Sequence, residues 1–417
     1  MISTGICIIG AGPAGAAAAL QLAVMGIPSV IVDKAVFPRD KVCGDGLSGK
    51  VLTLLTRIDK GIGERLRESL LKLDSWGITF TAPNRIGMHI MYKPRYQKLP
   101  HEPHGLVCKR IDFDNFLVEE LKRRPEIQLL EGRGIERYEL QPDGYLLTDR
   151  TGQFAIKARL VIVANGAHSG FTKEVAGIRM EPAHYAAGVR AYYRNVQGVH
   201  PDNFLELHFL KNMLPGYLWL FPLPNGEVNV GVGMLSKVAR RKKADLKKLM
   251  MDTLEGDPVM RERFRYAERM GDIKGYGLPF GSKDRTLSGE RYMLTGDAAS
   301  LINPFTGEGI GNALHSGCLA ARQAAQALAA NDCSAAALAG YDASIRRVLR
   351  PELLLSAKLQ KMVNYPWFIN LVIKQGARNQ QLQELLSGMF HEETLRKKLQ
   401  QPSFYFKLLM GWGGKNG

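Results

Sequence analysis

"GICIIGAGPAGAAAALQLAVMGIPSVIVDK", residues 5–34, decides the fold of this 417-residue chain. A short apolar run, Ile6 to Ile9, breaks into the turn Gly10-Ala-Gly-Pro-Ala-Gly15, and an alanine-rich helix follows until Gly26. A second apolar run, Ser29 to Val32, leads into Asp33 and Lys34. Strand, glycine turn, helix, strand and acid in this order form the phosphate-binding half of a doubly wound α/β domain. Gly10 makes the tight turn, Gly12 lets the backbone approach a pyrophosphate, and Gly15 lets helix and strand pack closely. Pro13 and Ala14 open the helix whose N–H groups and dipole face the phosphates. Asp33, with Lys34 beside it, is placed to meet a ribose hydroxyl. The stretch predicts a dinucleotide site.

The rest of the composition sets limits. A chain of 417 residues exceeds what one core usually organises, so two domains are expected. Hydrophobic content of 45% and charged content of 23% describe an ordinary globular protein. The five cysteines, at 7, 43, 108, 318 and 333, show neither CxxC nor Cys/His metal spacing, so no metal is expected and a reducing cytoplasm fits them. The apolar start lacks the basic n-region of a secretory signal, and no stretch is long enough to span a membrane. A net charge of +16 allows an anionic surface or nucleic acid as partner. No nucleic-acid motif is present, and "RRKKADLKK" (240–248) reads as a solvated helix face, so nucleic acid is not expected.

A second glycine-rich junction lies far downstream. "RYMLTGDAASLINPFTGEGIGNALHSG", residues 291–317, reads as a strand ending in Gly296-Asp297, a loop, and a helix rich in small residues. Gly307, Gly309 and Gly311 free the backbone where that helix starts. Its N–H groups suit the negative charge of a reduced flavin, and Asp297 a ribityl hydroxyl. The competing reading is an ordinary helix start after a loop. On the flavin reading Asp297 is expected to matter more than Asp33 for cofactor retention.

Between about 171 and 284 the pattern changes to short β-like runs, including "YAAGVRAYYRNV", "FLELHFL", "GYLWLFPLP" and "EVNVGVGML". Tyr217, Trp219 and Phe221 share one parity, so they form either a packed sheet face or the wall of a binding cavity. Beyond Ile345 the spacing is helical, in "IRRVLRPELLLSAKLQKMV" and "LQELLSGMFHEETLRKKLQQ", before the end "FYFKLLMGWGG". Residues 345–417 hold twelve Lys/Arg against four Asp/Glu, so this region is either a helical cap or a peripheral contact with the inner face of a membrane.

Both glycine junctions resemble the para-hydroxybenzoate hydroxylase-type FAD superfamily, and "KVCGDGLS" (41–48) with "GYLWLFP" (216–222) resembles its geranylgeranyl reductase branch. The likeness covers most of residues 1–320. It implies an α/β fold in which a Rossmann-like FAD-binding domain (1–80, 106–170, 285–344) is interleaved with a β-sheet substrate domain (81–105, 171–284), followed by the helical region 345–417. It implies FAD contacts at Gly296, Asp297, Pro304, Gly307, Gly309 and Ile310. It also places Arg39, Arg110, Cys43 and Gly44 near the flavin, although each arginine also reads as a surface ion pair. Asn165-Gly166 stands where hydroxylases of the superfamily carry Asp-Gly, which leaves Gly166 as a backbone contact and argues against hydroxylation.

The resemblance further implies that Tyr217, Trp219, Phe221 and Pro222 line a prenyl cavity, with Cys43, Tyr217 and Trp219 catalytic. The expected activity is FAD-dependent hydrogenation of carbon–carbon double bonds in a prenyl lipid, with NAD(P)H or another electron donor as reductant. Cys43 is read either as a small buried hydrophobe or as a proton-relaying thiol whose charge Lys41 supports, with His184, Tyr185 and Tyr217 as alternative donors. Two rival classes stay open. One is a flavin-dependent monooxygenase or halogenase, because "GYLWLFP" also resembles the halogenase pattern G-W-x-W-x-I-P with Tyr217 in place of the first Trp. The other is a non-catalytic flavin or lipid carrier.

Overall fold

The computed structural model describes residues 1–69, 71–92, 105–379 and 383. Its first sheet is built on Ile2–Ile9, an apolar strand flanked in parallel by Ala155–Val163 on one side and Ser29–Val32 on the other. Tyr292–Leu294 and Ile127–Leu130 extend the parallel sheet outward. Strands buried on both faces read as continuous aliphatic runs, which is why Ile6–Ile9 and Leu160–Val163 are solidly apolar. Helix Pro13–Val24 covers one face and is buried along nearly its whole length. It crosses helix Ile310–Ala329 so closely that a Cβ on Gly317 would stand 2.1 Å from the carbonyl oxygen of Ala14. Small residues on both helices allow that approach, and it fixes the two glycine junctions side by side.

The second sheet has seven strands in the order Glu268–Pro279, Tyr185–Arg194, Glu227–Leu235, Tyr217–Pro222, Leu205–His208, Gly77–Thr81 and Gly87–Met91. All neighbours are antiparallel except Leu205–His208 beside Gly77–Thr81. Its two faces are both covered. Leu218 and Leu220 pack with Val230, Met250 and Leu254 on one, while Tyr217, Trp219 and Phe221 pack toward Phe209, Val363 and Ile369 on the other. Period-two alternation along Tyr217–Pro222 decides which side chain goes where. A third, three-stranded sheet joins Gly46–Ser48 and Lys72–Ser75 to Gly105–Cys108.

The chain passes between the sheets more than once. Gly77–Thr81 already pairs in the second sheet, so the chain leaves the first layer before residue 81. Helix Gly170–Glu174 stays with the first layer, where Phe171 is fully buried against Tyr138, Tyr145 and Tyr292, and the second sheet resumes only at Tyr185. Helix Ala335–Val348 runs across the expected boundary at 345 and leads to Arg350–Met362 and Pro366–Gly376. Most of "LQELLSGMFHEETLRKKLQQ" and all of "FYFKLLMGWGG" lie outside the described residues. Among the described residues no helix is long and apolar enough to cross a membrane, and none of their His, Cys, Asp and Glu side chains form a metal-binding group.

Candidate active site

The first glycine turn is held by backbone geometry. Gly10 has φ +104°, and a Cβ there would stand 2.5 Å from the Ala164 carbonyl oxygen; one on Gly15 would stand 1.8 Å from the Gly10 carbonyl oxygen. Neither position admits a side chain. Asp33 accepts from the backbone N–H of Ala11 at 2.7 Å and of Ala35 at 2.9 Å. Its carboxylate therefore fixes the turn itself, in addition to facing the cavity.

The second junction repeats the device. Gly296 (φ +57°) turns the chain against Ala14, Asn303 accepts from the N–H groups of Phe305 and Thr306, and Gly307 (φ +73°) leads through Gly309 into helix Ile310–Ala329. Asp297 pairs with Lys41 at 3.0 Å. Lys41 thus pairs with Asp297 and lies 5.1 Å from the Tyr276 ring centre, on the cavity that Cys43 also lines.

Between the junctions lies a cavity of about 660 Å³. Gly10, Gly12, Pro13, Ala14, Asp33, Lys34, Arg39, Cys43, Gly44, Arg110, Gly166, Asp297, Gly307, Gly309 and Ile310 line it, as does Trp219 from the second sheet. Gly15 and Gly296 shape the cradle from behind, and Pro304 lines a neighbouring cavity. The residues fit a flavin dinucleotide. Two helix starts face the space, glycines leave the backbone bare, and the buried Oδ1 of Asn165 and Nε of Arg190 have no hydrogen-bond partner and border it.

Arg39 and Arg110 do not form surface ion pairs. Arg110 is 3% exposed and grips the fully buried Asp114 with two bonds of 2.7 Å, while Arg39 meets the same carboxylate at 2.8 Å. Burial alone would weaken the Arg110 charge, but Asp114 and Cys43 outweigh it and raise its pKa. Cys43 therefore has Arg110 as its cationic neighbour. It is half-buried, whereas Cys7, Cys108, Cys318 and Cys333 are buried.

Asp45, two residues on, was not singled out by sequence. It is fully buried, has φ +66°, and accepts from the Tyr192 hydroxyl at 2.9 Å, Asn229 Nδ2 at 2.7 Å and the Arg110 N–H at 3.2 Å. An acid between two glycines, Gly44 and Gly46, was the available signal; Tyr192 and Asn229 gave none, because they reach it only through the second sheet. Burial pushes the Asp45 carboxyl up to about 6, against those hydrogen bonds and the nearby Arg190 charge. A carboxyl raised on folding from 3.8 to about 6 contributes stability that is present below 3.8 and lost as pH rises through 6. Urea titration should therefore show Asp45→Asn losing its disadvantage relative to wild type as pH rises across that window. A difference that stays constant with pH would contradict a raised carboxyl.

The aromatic stripe is split by the structure. Trp219 and Tyr217 line a smaller, largely apolar cavity with Phe209, Leu278, Phe280 and Phe305, and this cavity shares Gly188, Trp219, Leu278 and Gly307 with the larger one. The Tyr217 hydroxyl donates to the Thr306 carbonyl at 2.8 Å, and burial raises its pKa, so its proton is committed to the loop. Phe221 lies against Gly44 and Gly46, where a Cβ would stand 3.1 and 3.3 Å from its ring, and supports the Cys43 loop from below. Pro222, expected on the same wall, has the opposite parity, is buried, and lines neither cavity. His184 pairs with Ser282 at 2.7 Å and Tyr185 packs against Gly277, so neither of these alternative proton donors lines the larger cavity.

Comparison with known proteins agrees with this geometry. The FAD binding domain family model matches residues 3–251. The menaquinone reductase of Mycobacterium tuberculosis is 30% identical over 328 residues, 76% of each chain. Digeranylgeranylglycerophospholipid reductase 1 of Methanothermobacter thermautotrophicus is 28% identical over 355 residues, 84% of this chain and 83% of that one. Among solved structures, a geranylgeranyl bacteriochlorophyll reductase-like protein of Thermoplasma acidophilum superposes with a TM-score of 0.80 at 20% identity, covering 96% of this chain and 99% of that one. A flavin-dependent brominase shares the fold at a TM-score of 0.75 and 17% identity, covering 98% of this chain and 99% of that one. The glycine cradles and the match across more than half of the sequence place this chain in the FAD binding domain family, as an FAD-dependent reductase.

Proposed function

We propose that the protein hydrogenates carbon–carbon double bonds in the isoprenoid chain of a prenyl lipid. The observation that carries this reading is the shared boundary between the flavin-sized cavity and the apolar one at Gly188, Trp219, Leu278 and Gly307. A chain held by Phe209, Phe280 and Phe305 would meet the larger cavity beside Trp219 and the Cys43 loop. FAD, bound and reduced by NAD(P)H or another donor, supplies the hydride equivalent. The rest falls to the protein. The aromatic walls exclude water, and Cys43 holds a proton at Sγ for the second alkene carbon, with the Arg110 guanidinium placed to balance the charge left on sulfur.

The relatives' names support the isoprenoid chain as the common feature, since a menaquinone and a digeranylgeranyl glycerophospholipid share little else. The exposed run Arg240, Arg241, Lys242, Lys243, Lys247 and Lys248 supports contact with an anionic membrane surface, from which such a substrate would be drawn. The test is mass spectrometry of lipid carried by or added to the protein, before and after anaerobic reduction. Each reduced bond adds one pair of hydrogens. Lipid recovered unaltered would favour a carrier, and substrate-dependent oxygen consumption a monooxygenase or halogenase.

A further inference from the structure

We propose that Asn229 and Asp45 are positioning residues that together set the distance between the Cys43 thiol and the Trp219 wall. The two sides of the reaction space come from different parts of the chain. The Cys43 loop belongs to the connection after the first sheet's second strand, and Trp219 stands on the second sheet. Asn229 joins them. It is fully buried, its Oδ1 accepts from Trp219 Nε1 at 2.9 Å, and its Nδ2 donates both to the Cys43 carbonyl at 2.8 Å and to Asp45 at 2.7 Å.

The chemistry of the partners leaves one side chain for this place. An indole N–H only donates, and a carbonyl and a carboxylate acceptor only accept. The residue between them must offer one acceptor and two donors from a short stem, which is asparagine in one flip state. Aspartate would lose both donors and set two carboxylates together; leucine would leave the Trp219 indole N–H and the Cys43 carbonyl without this partner and take one of three bonds from Asp45. Asp45 completes the clamp from the other side. Its side chain collects Asn229, Tyr192 and the Arg110 N–H, and its own carbonyl accepts from the Cys108 N–H at 3.0 Å. Arg110 in turn faces the Cys43 side chain, so loop, thiol neighbour and wall share one set of bonds.

Close packing makes the clamp rigid. A Cβ on Gly231 would stand 2.2 Å from the Trp219 ring, and one on Gly44 would stand 3.1 Å from Phe221 and 3.6 Å from Trp219 Nε1. Trp219 cannot retreat toward Gly231, and the loop cannot approach without meeting the ring. A misplacement of about 1 Å at a reacting centre can cost about 100-fold in rate.

The proposal rests on Cys43 and Trp219 bounding the reaction space, and its test reads their placement without substrate. In native holoprotein the four other cysteines are buried, so iodoacetamide labelling followed by peptide mapping reads Cys43. Asn229→Asp should raise the Cys43 labelling rate about five- to thirtyfold, with flavin content unchanged and the buried cysteines still protected. With a prenyl substrate, kcat should fall about 100-fold while KM changes by less than about threefold. Tyr192→Phe removes one bond to Asp45 and leaves Asn229 in place; it should shift labelling in the same direction by less, and serves if Asn229→Asp does not fold. Wild-type labelling rates in both variants would overturn the proposal, as would equal exposure of Cys108 and Cys43, which marks general loosening. Faster Cys43 labelling in a protein whose wild type reduces no alkene would uphold the clamp and overturn the prenyl reductase reading instead.

Discussion

Cys43→Ala is expected to slow alkene reduction at least about 100-fold while flavin content and flavin reduction stay as in wild type, because a positioned general acid contributes about 10² to 10⁴ in rate. Three features make Cys43 the strongest candidate for that acid. It lines the flavin-sized cavity beside Trp219, it has Arg110 as a buried cationic neighbour, and of the alternative donors Tyr217 and His184 are hydrogen-bonded elsewhere while Tyr185 lines neither cavity. Cys43→Ser keeps a hydroxyl proton in nearly the same place and should be less impaired. The measurement is anaerobic single turnover, with flavin reduction and lipid saturation followed separately. A Cys43→Ala protein that saturates lipid at the wild-type rate removes the thiol from the mechanism. His168 and Tyr276, which also line the cavity, would then come first in the search for a proton.

Asp33→Ala is expected to lower FAD affinity by roughly 10- to 100-fold, more than Asp297→Ala does. Two backbone N–H groups lose a charged acceptor, and a loss at the FAD site equal to about one such bond, about 1.5–3 kcal/mol, gives this range because about 1.4 kcal/mol is tenfold in affinity. The turn at Gly10–Gly12 loses its tie to Asp33 at the same time. Asp297→Ala instead frees Lys41, a cation that can still face a flavin's negative edge. Flavin absorbance after gel filtration measures both variants, with melting curves to separate affinity from folding. Equal flavin content, or a larger loss in Asp297→Ala, would contradict this order. Sequence alone ranked the two acids the other way, since a conversation between Asp33 and the N–H of Ala11 is visible only once the turn is folded.

The sequence by itself determined the parts whose physics is local. Gly10 and Gly15 are dictated by a turn and a packing distance within one strand–helix unit, and Gly296 to Gly309 by a second such unit. The parity of Tyr217, Trp219 and Phe221 follows from the pleat of one strand, as does the fact that Pro222 faces away, although the motif as a whole obscured it. What the tertiary structure decided are pairings between segments far apart in the chain. Lys41 pairs with Asp297 and Arg110 faces Cys43; Asp114 drew both Arg39 and Arg110 inward. Asp45 and Asn229, 184 positions apart, became one hydrogen-bonded unit. A buried charge or amide must find a partner wherever the fold brings one, and spacing along the chain carries no record of which partner that will be.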